Sequence, residues 1–247
     1  MKHRAPLFAL VLAGLCAAPL ALQAQTPAAH ASKPAKMLIV LAPADIDPSR
    51  LLPPPAADHS AAQAMELADL HNIIAAATSE RMTQAKWDDE HEDPSAFFQT
   101  IGGGFDLKTL PATAEVLRVV MNDQAIAASA AKKLFLRKRP WVADPTISTC
   151  DPNDNPLSSY PSGHSMMGFS VGMILAALMP EKAQAILARA SDYAFSREIC
   201  GSHYPSDTHA SQALAAAVAT AMLKSPAFAP KFDAARAELR AAGLTAK

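Results

Sequence analysis

The sequence predicts an all-α fold, a compact helical bundle, on three observations. Beyond the Pro53-Pro54-Pro55 tract the chain is rich in Ala, with apolar residues at helical spacing. Val and Ile seldom alternate at period two, as half-buried strands require. Pro, Gly and Ser fall at helix-sized intervals, where starts and stops belong. Helices are expected near Ser60 to Ser79, Met82 to Glu90, Pro94 to Ile101, Ala112 to Leu136, Gly163 to Met179, Glu181 to Arg197, Pro205 to Lys224 and Pro230 to Ala242.

The elements are justified in order. Residues 1–24 read as a secretory signal: Lys2 and Arg4 precede an apolar run from Leu7 to Leu20, and Ala24 offers a small residue for cleavage. Residues 25–48 read as a flexible leader, its first part rich in Ala, Pro and Ser. Met37 to Leu41 is apolar enough for a strand but has no evident partner. Three consecutive prolines at 53–55 must be extended, and they mark the entry to one domain, assigned to residues 49–247. Gly102-Gly103-Gly104 lacks a following Lys-Ser/Thr pair and reads as a helix stop rather than a phosphate loop. The apolar stretch from Ser165 to Met179 is shorter than the roughly 20 residues of a membrane span, so it reads as a buried core helix. Gly168 and Gly172 lie four apart on it, where a second helix can approach closely.

Without Lys2 and Arg4 the chain has 20 basic residues against 23 acidic ones, a balance that gives no support to nucleic-acid binding by a whole-surface field. Cys150 and Cys200 follow the signal. An even count in an exported chain predicts a disulfide, with two buried thiols as the other reading.

Three clusters carry chemistry. Lys132 and Arg139 are close to two helical turns apart, so they can share a face before Pro140, although a basic helix end is commonly a solvated one. In Tyr160-Pro161-Ser162-Gly163-His164, Ser162 suits an N-cap and Gly163 permits close backbone approach, so the start of the next helix can hold an anion beneath His164; a capping or packed His is the plainer reading. Ser196-Arg197, His203 and Asp207 form the third. Pro205 fits a first helical turn, which lets the Asp207 carboxylate reach back to one nitrogen of His203 and leave the other free to attack, with Arg197 as a planar fork for two oxygens. A surface pair between Arg197 and Asp207 is the bland alternative.

Together, Lys132-x6-Arg139-Pro140, Pro161-Ser162-Gly163-His164 and Ser196-Arg197-x5-His203-x3-Asp207 fill every position of the three-part signature of the type 2 phosphatidic acid phosphatase superfamily. Within it, the chain resembles the secreted class A bacterial non-specific acid phosphatases, on Leu51 to Pro55, Ser148-Thr149-Cys150, Ser159 to His164 and Ile199-Cys200-Gly201. The resemblance implies a periplasmic, metal-independent hydrolase of phosphate monoesters, with no cofactor and an ordinary tendency to form homodimers. It implies His203 as nucleophile, Asp207 as its orienting group, His164 as proton donor, and Lys132, Arg139, Ser162, the Gly163 backbone and Arg197 as phosphate ligands. It also implies an acidic pH optimum. Ser158, Ser165 and Tyr204-Pro205 depart from the usual Gly, Thr and Trp-Gln. Vanadate-dependent haloperoxidases share the signature and form the alternative enzyme class, as do phosphatases of lipid phosphates. A metal site of His203, Asp207 and His209 is disfavoured, because positions 207 and 209 are about 200° apart on a helix. Segments 85–105 and 142–158 are the candidate pocket walls.

Overall fold

The computed structural model describes residues 37–246. Its helices are α1 (Pro48–Leu51), α2 (Ala61–Ala76), α3 (Ser79–Glu90), α4 (Phe98–Ile101), α5 (Pro111–Phe135), α6 (Pro140–Ala143), α7 (Gly163–Leu178), α8 (Ala183–Ile199), α9 (Pro205–Lys224) and α10 (Ala229–Ala241), with short 3-10 turns at Pro43–Ile46, Pro94–Phe97 and Pro180–Lys182. No strand occurs among the described residues, and the fold is all-α. Side-chain caps begin several helices: Ser60 Oγ accepts from the Gln63 amide, Thr78 Oγ1 from Arg81, and Ser162 Oγ from Ser165. Proline opens α5 and α9, where the missing N–H costs nothing. Gly102, at φ 63°, ends α4 as the glycine run predicts.

Helix α7 is the axis of the bundle. Most of its side chains are buried, and α5, α8, α9 and α10 pack around it. Its two glycines set the distance to α8. A Cβ on Gly168 would lie 2.7 Å from Tyr193 Cδ1, and one on Gly172 would lie 3.0 Å from Ala190 Cβ. No single helix among the described residues is long and apolar enough to cross a membrane.

Two expectations need correction. The leader assigned to residues 25–48 is not loose over 37–48. Leu41 and Ile46 join the core, and the buried carboxylate of Asp123 on α5 accepts from the amides of Ile39, Val40 and Leu41 at 2.8, 3.0 and 3.1 Å. This clamp also explains why the apolar run at 37–41 is not a strand: its donors converge on one side chain instead of a ladder. The rest of the leader and the signal segment lie outside the described residues. Second, Lys132 and Arg139 do not share a helix face. Helix α5 stops at Phe135 because Leu136 turns left-handed at φ 47°, and Arg139 is the extended residue before Pro140 at the start of α6.

Asp123→Ala leaves three backbone donors without their acceptor and should cost about 3 kcal/mol or more of unfolding free energy. Urea denaturation of the variant measures it, and an unchanged midpoint would show that the 37–41 segment adds nothing to the fold.

Candidate active site

His203 lies in the loop between α8 and α9 and is almost wholly buried. Its Nδ1 faces two acceptors, the Ser159 carbonyl at 2.8 Å and Asp207 Oδ2 at 3.3 Å. Nδ1 therefore carries the proton. Nε2 faces a donor, Arg139 Nη1 at 3.1 Å, and so presents its lone pair. The carboxylate reaches back from the third position of α9 as the spacing predicts, but the nearer partner of Nδ1 is a backbone carbonyl that no sequence pattern marks.

Asp207 is buried and saturated with donors. It accepts from Arg137 Nη1 and Ser159 Oγ, both at 2.6 Å, and from the Tyr204 amide at 2.9 Å. Burial pushes this carboxyl upward, and Arg137 and Ser159 oppose the shift. Arg137 continues the chain to Glu66 on α2 at 2.6 Å and to Ser206 at 2.7 Å. Its guanidinium lies 3.9 Å from the Tyr204 ring. In the sequence Arg137 is one of several neighbouring cations on what reads as a solvated helix end; only the fold turns it inward. Tyr204 is fully buried, with its hydroxyl 3.4 Å from Gln63 Nε2, so this departure from the usual Trp faces the support of the site.

Cations gather on the Nε2 side. Arg139 donates to the carbonyls of Asn155 and Ser202, both at 3.1 Å, and pairs with Asp154 at 2.9 Å. Lys132 Nζ donates to the Ser158 carbonyl at 2.8 Å and lies 3.7 Å from where a Cβ on Gly163 would stand. Burial first, then the Arg139 charge, brings this lysine down to about 8. Arg197 is fully buried at the end of α8. One of its nitrogens donates to Asp89, while Nε and Nη2 are buried without a protein acceptor. Two orphaned guanidinium donors beside a histidine fit an anionic ligand. The alternative pair between Arg197 and Asp207 is absent, since each has another partner.

Ser162 and Gly163 begin α7 at the same place, and His164 follows. His164 Nε2 is 3.0 Å from the Asp89 carbonyl, so Nδ1 is the nitrogen turned toward Glu92, at 3.8 Å. Its ring stacks on Tyr193 with centroids 6.3 Å apart. Burial, followed by the nearby Arg197 charge, takes His164 down to about 3. Burial and the Arg139, Lys132 and Arg197 charges hold His203 well below the usual imidazole value. Both rings are thus neutral at ordinary pH in the free site. The structure brings the side chains at 132, 139, 164, 197 and 203 into one cluster, with 207 behind it. His209 is exposed on α9 and lines a separate cleft with Glu198 and Thr208.

This arrangement has relatives. Residues 114–230, which hold all three motifs, match the PAP2 superfamily. The chain is 34% identical over 148 residues to the non-specific acid phosphatase of Salmonella typhimurium, covering 58% of this chain and 59% of that protein. It is 34% identical over 149 residues to the acid phosphatase of Zymomonas mobilis, covering 59% and 56%. A third relative, the non-specific acid phosphatase of Providencia stuartii, is 31% identical over 149 residues, covering 58% and 60%. The aligned stretch therefore spans less than two thirds of each relative. Cys150 and Cys200 are disulfide-bonded, and the Cys150 amide donates to the Cys200 carbonyl at 3.2 Å. The bond ties the segment before the second motif to the loop that carries His203.

The depressed histidines set a pH dependence of stability. Unfolded, His164 binds a proton near pH 6.5; folded, it does so only near 3. The unfolded chain thus holds more protons between these values, and stability is lost as pH falls through that window. Melting curves should show this loss, reduced in His164→Asn; equal acid sensitivity in both proteins would contradict it.

Proposed function

We propose that this chain is an exported, metal-independent acid phosphatase that hydrolyses phosphate monoesters through a phosphohistidine on His203. One observation carries the reading: the lone pair of His203 Nε2 opens into a cluster of Lys132, Arg139, Arg197 and the start of α7, while its Nδ1 proton is pinned from behind. The names of the acid phosphatase relatives support the same reaction class. The charged and apolar N-terminal run and the Cys150–Cys200 bond support export to an oxidising compartment such as the periplasm.

The phosphoryl group binds with its oxygens on Arg197, Arg139, Lys132, Ser162 and the Gly163 amide. Nε2 attacks phosphorus and the ester P–O bond breaks. His164 Nδ1 gives its proton to the departing alcohol oxygen. The charge left on His203 is balanced through Nδ1 by the Ser159 carbonyl and Asp207. Water then attacks phosphorus, His164 takes its proton, and the P–N bond breaks to release phosphate and neutral His203. Catalysis here is positioning and charge compensation.

Because His164 is neutral in the free site, its proton arrives with substrate or after the phosphate has offset the surrounding cations. The alkaline limb of kcat/KM should then follow the substrate's own second ionisation, near pH 6 for alkyl phosphates. A limb that ignores substrate acidity would contradict this.

A trapping assay with a labelled phosphate ester tests the intermediate: wild type should retain acid-labile label and His203→Ala should not. His164→Ala should still be labelled by an ester with a good leaving group, while losing about 10²–10⁴-fold in turnover of alkyl esters. Activity that vanishes in strong chelator and returns with a divalent cation would overturn the metal-independent route.

A further inference from the structure

The cation cluster is already occupied by side chains of the chain itself. Asp89, at the end of α3, pairs with Arg197. Glu92, two residues beyond that helix, has Oε2 3.8 Å from His164 Nδ1 and Oε1 3.4 Å from the Cβ position of Gly163, with Lys132 Nζ at 3.7 Å from the same point. These carboxylates stand at the two places, the Arg197 fork and the start of α7, that suit phosphoryl oxygens. Both come from the acidic run Asp88-Asp89-Glu90-His91-Glu92-Asp93. Tyr193 holds this run against the site, its hydroxyl donating to the His91 carbonyl at 2.8 Å.

Charge balance gives these acids a consequence. A phosphate that takes Arg197 and Lys132 displaces Asp89 and Glu92 from their counterions. Glu92 remains beside His164 Nδ1, the nitrogen from which a leaving alcohol is protonated, while Asp89, whose carbonyl meets the Nε2 edge of the same ring, adds its charge from the Arg197 side. We propose that Asp89 and Glu92 determine specificity by leaving-group charge, favouring phosphate monoesters with an ammonium group near the ester oxygen over those with a second anion. An ammonium restores the counterion that phosphate removes; a carboxylate adds a third negative charge at the same rim. This deepens the phosphatase reading and rests on it.

The experiment compares kcat/KM for 2-aminoethyl, 2-hydroxyethyl and carboxymethyl phosphate in wild type, Glu92→Gln, Asp89→Asn and Glu90→Gln. The last removes a charge from an exposed residue of the same helix. Wild type should prefer the amino ester to the carboxylate ester by about tenfold or more, the scale of one partly screened charge contact. Glu92→Gln should shrink that ratio severalfold, each charged ester being referred to the hydroxy ester of the same variant, and Glu90→Gln should leave it as in wild type. Asp89→Asn deprives buried Arg197 of its carboxylate partner and so perturbs the fold as well as the rim; Glu92 is half-exposed, so its variant decides the question alone. An unchanged ratio in Glu92→Gln, or an equal change in Glu90→Gln, overturns the proposal while ester hydrolysis by wild type leaves the phosphatase reading standing. Failure of wild type to hydrolyse any of the three, or p-nitrophenyl phosphate, overturns both.

Discussion

A carboxylate with no access to water, at the third position of α9, is the interaction on which the site depends. An isolated charge there would be prohibitive, so Asp207 must recruit partners, and those partners are what assemble the site. Arg137 comes from the turn after α5, Ser159 from the loop before α7, and the Tyr204 amide from the chain leading into α9. The same Arg137 fork extends to Glu66, which also accepts from the Ser206 amide at 3.1 Å. Four segments distant in sequence are thereby fixed around one imidazole, and the Ser159 carbonyl needed for its Nδ1 proton arrives with the Ser159 hydroxyl that Asp207 holds.

In front of that support the electrostatics are reversed. Three cations and two histidines share a desolvated space, and the histidines respond by staying neutral. For His203 this preserves a lone pair; for His164 it makes protonation conditional on an incoming negative charge. The acids Asp89, Glu92 and Asp154 offset the cations when nothing else does. Such a site holds both its attraction for anions and a set of internal rivals for the same contacts.

Much of this was legible in the sequence because it is local. Helix starts at Ser60, Ser162 and Pro205, the stop at Gly102, the close approach at Gly168 and Gly172 and the reach from Asp207 to His203 each depend on residues within a turn or two. What was not legible is the pairing of distant residues. Arg137 is indistinguishable from Lys133 and Lys138 until the fold brings Asp207 beside it. Asp123 gives no sign that it will bind the amides of residues 39–41, and the Ser159 carbonyl has no side-chain signature at all. Lys132 and Arg139 show the opposite failure. Helical spacing accounts for their convergence on paper, yet a left-handed residue and a proline bring it about by ending the helix.

The junction of α7 and α8 has a consequence beyond stability. Tyr193 fills the space that Gly168 lacks a side chain to occupy, stacks on His164, and holds the His91 carbonyl with its hydroxyl. One ring thus spans the distance from the bundle's centre to its working edge. A methyl group gained at Gly168 would displace the ring that stacks on His164, so this part of the interior is coupled to the geometry of the site as well as to the packing of the bundle.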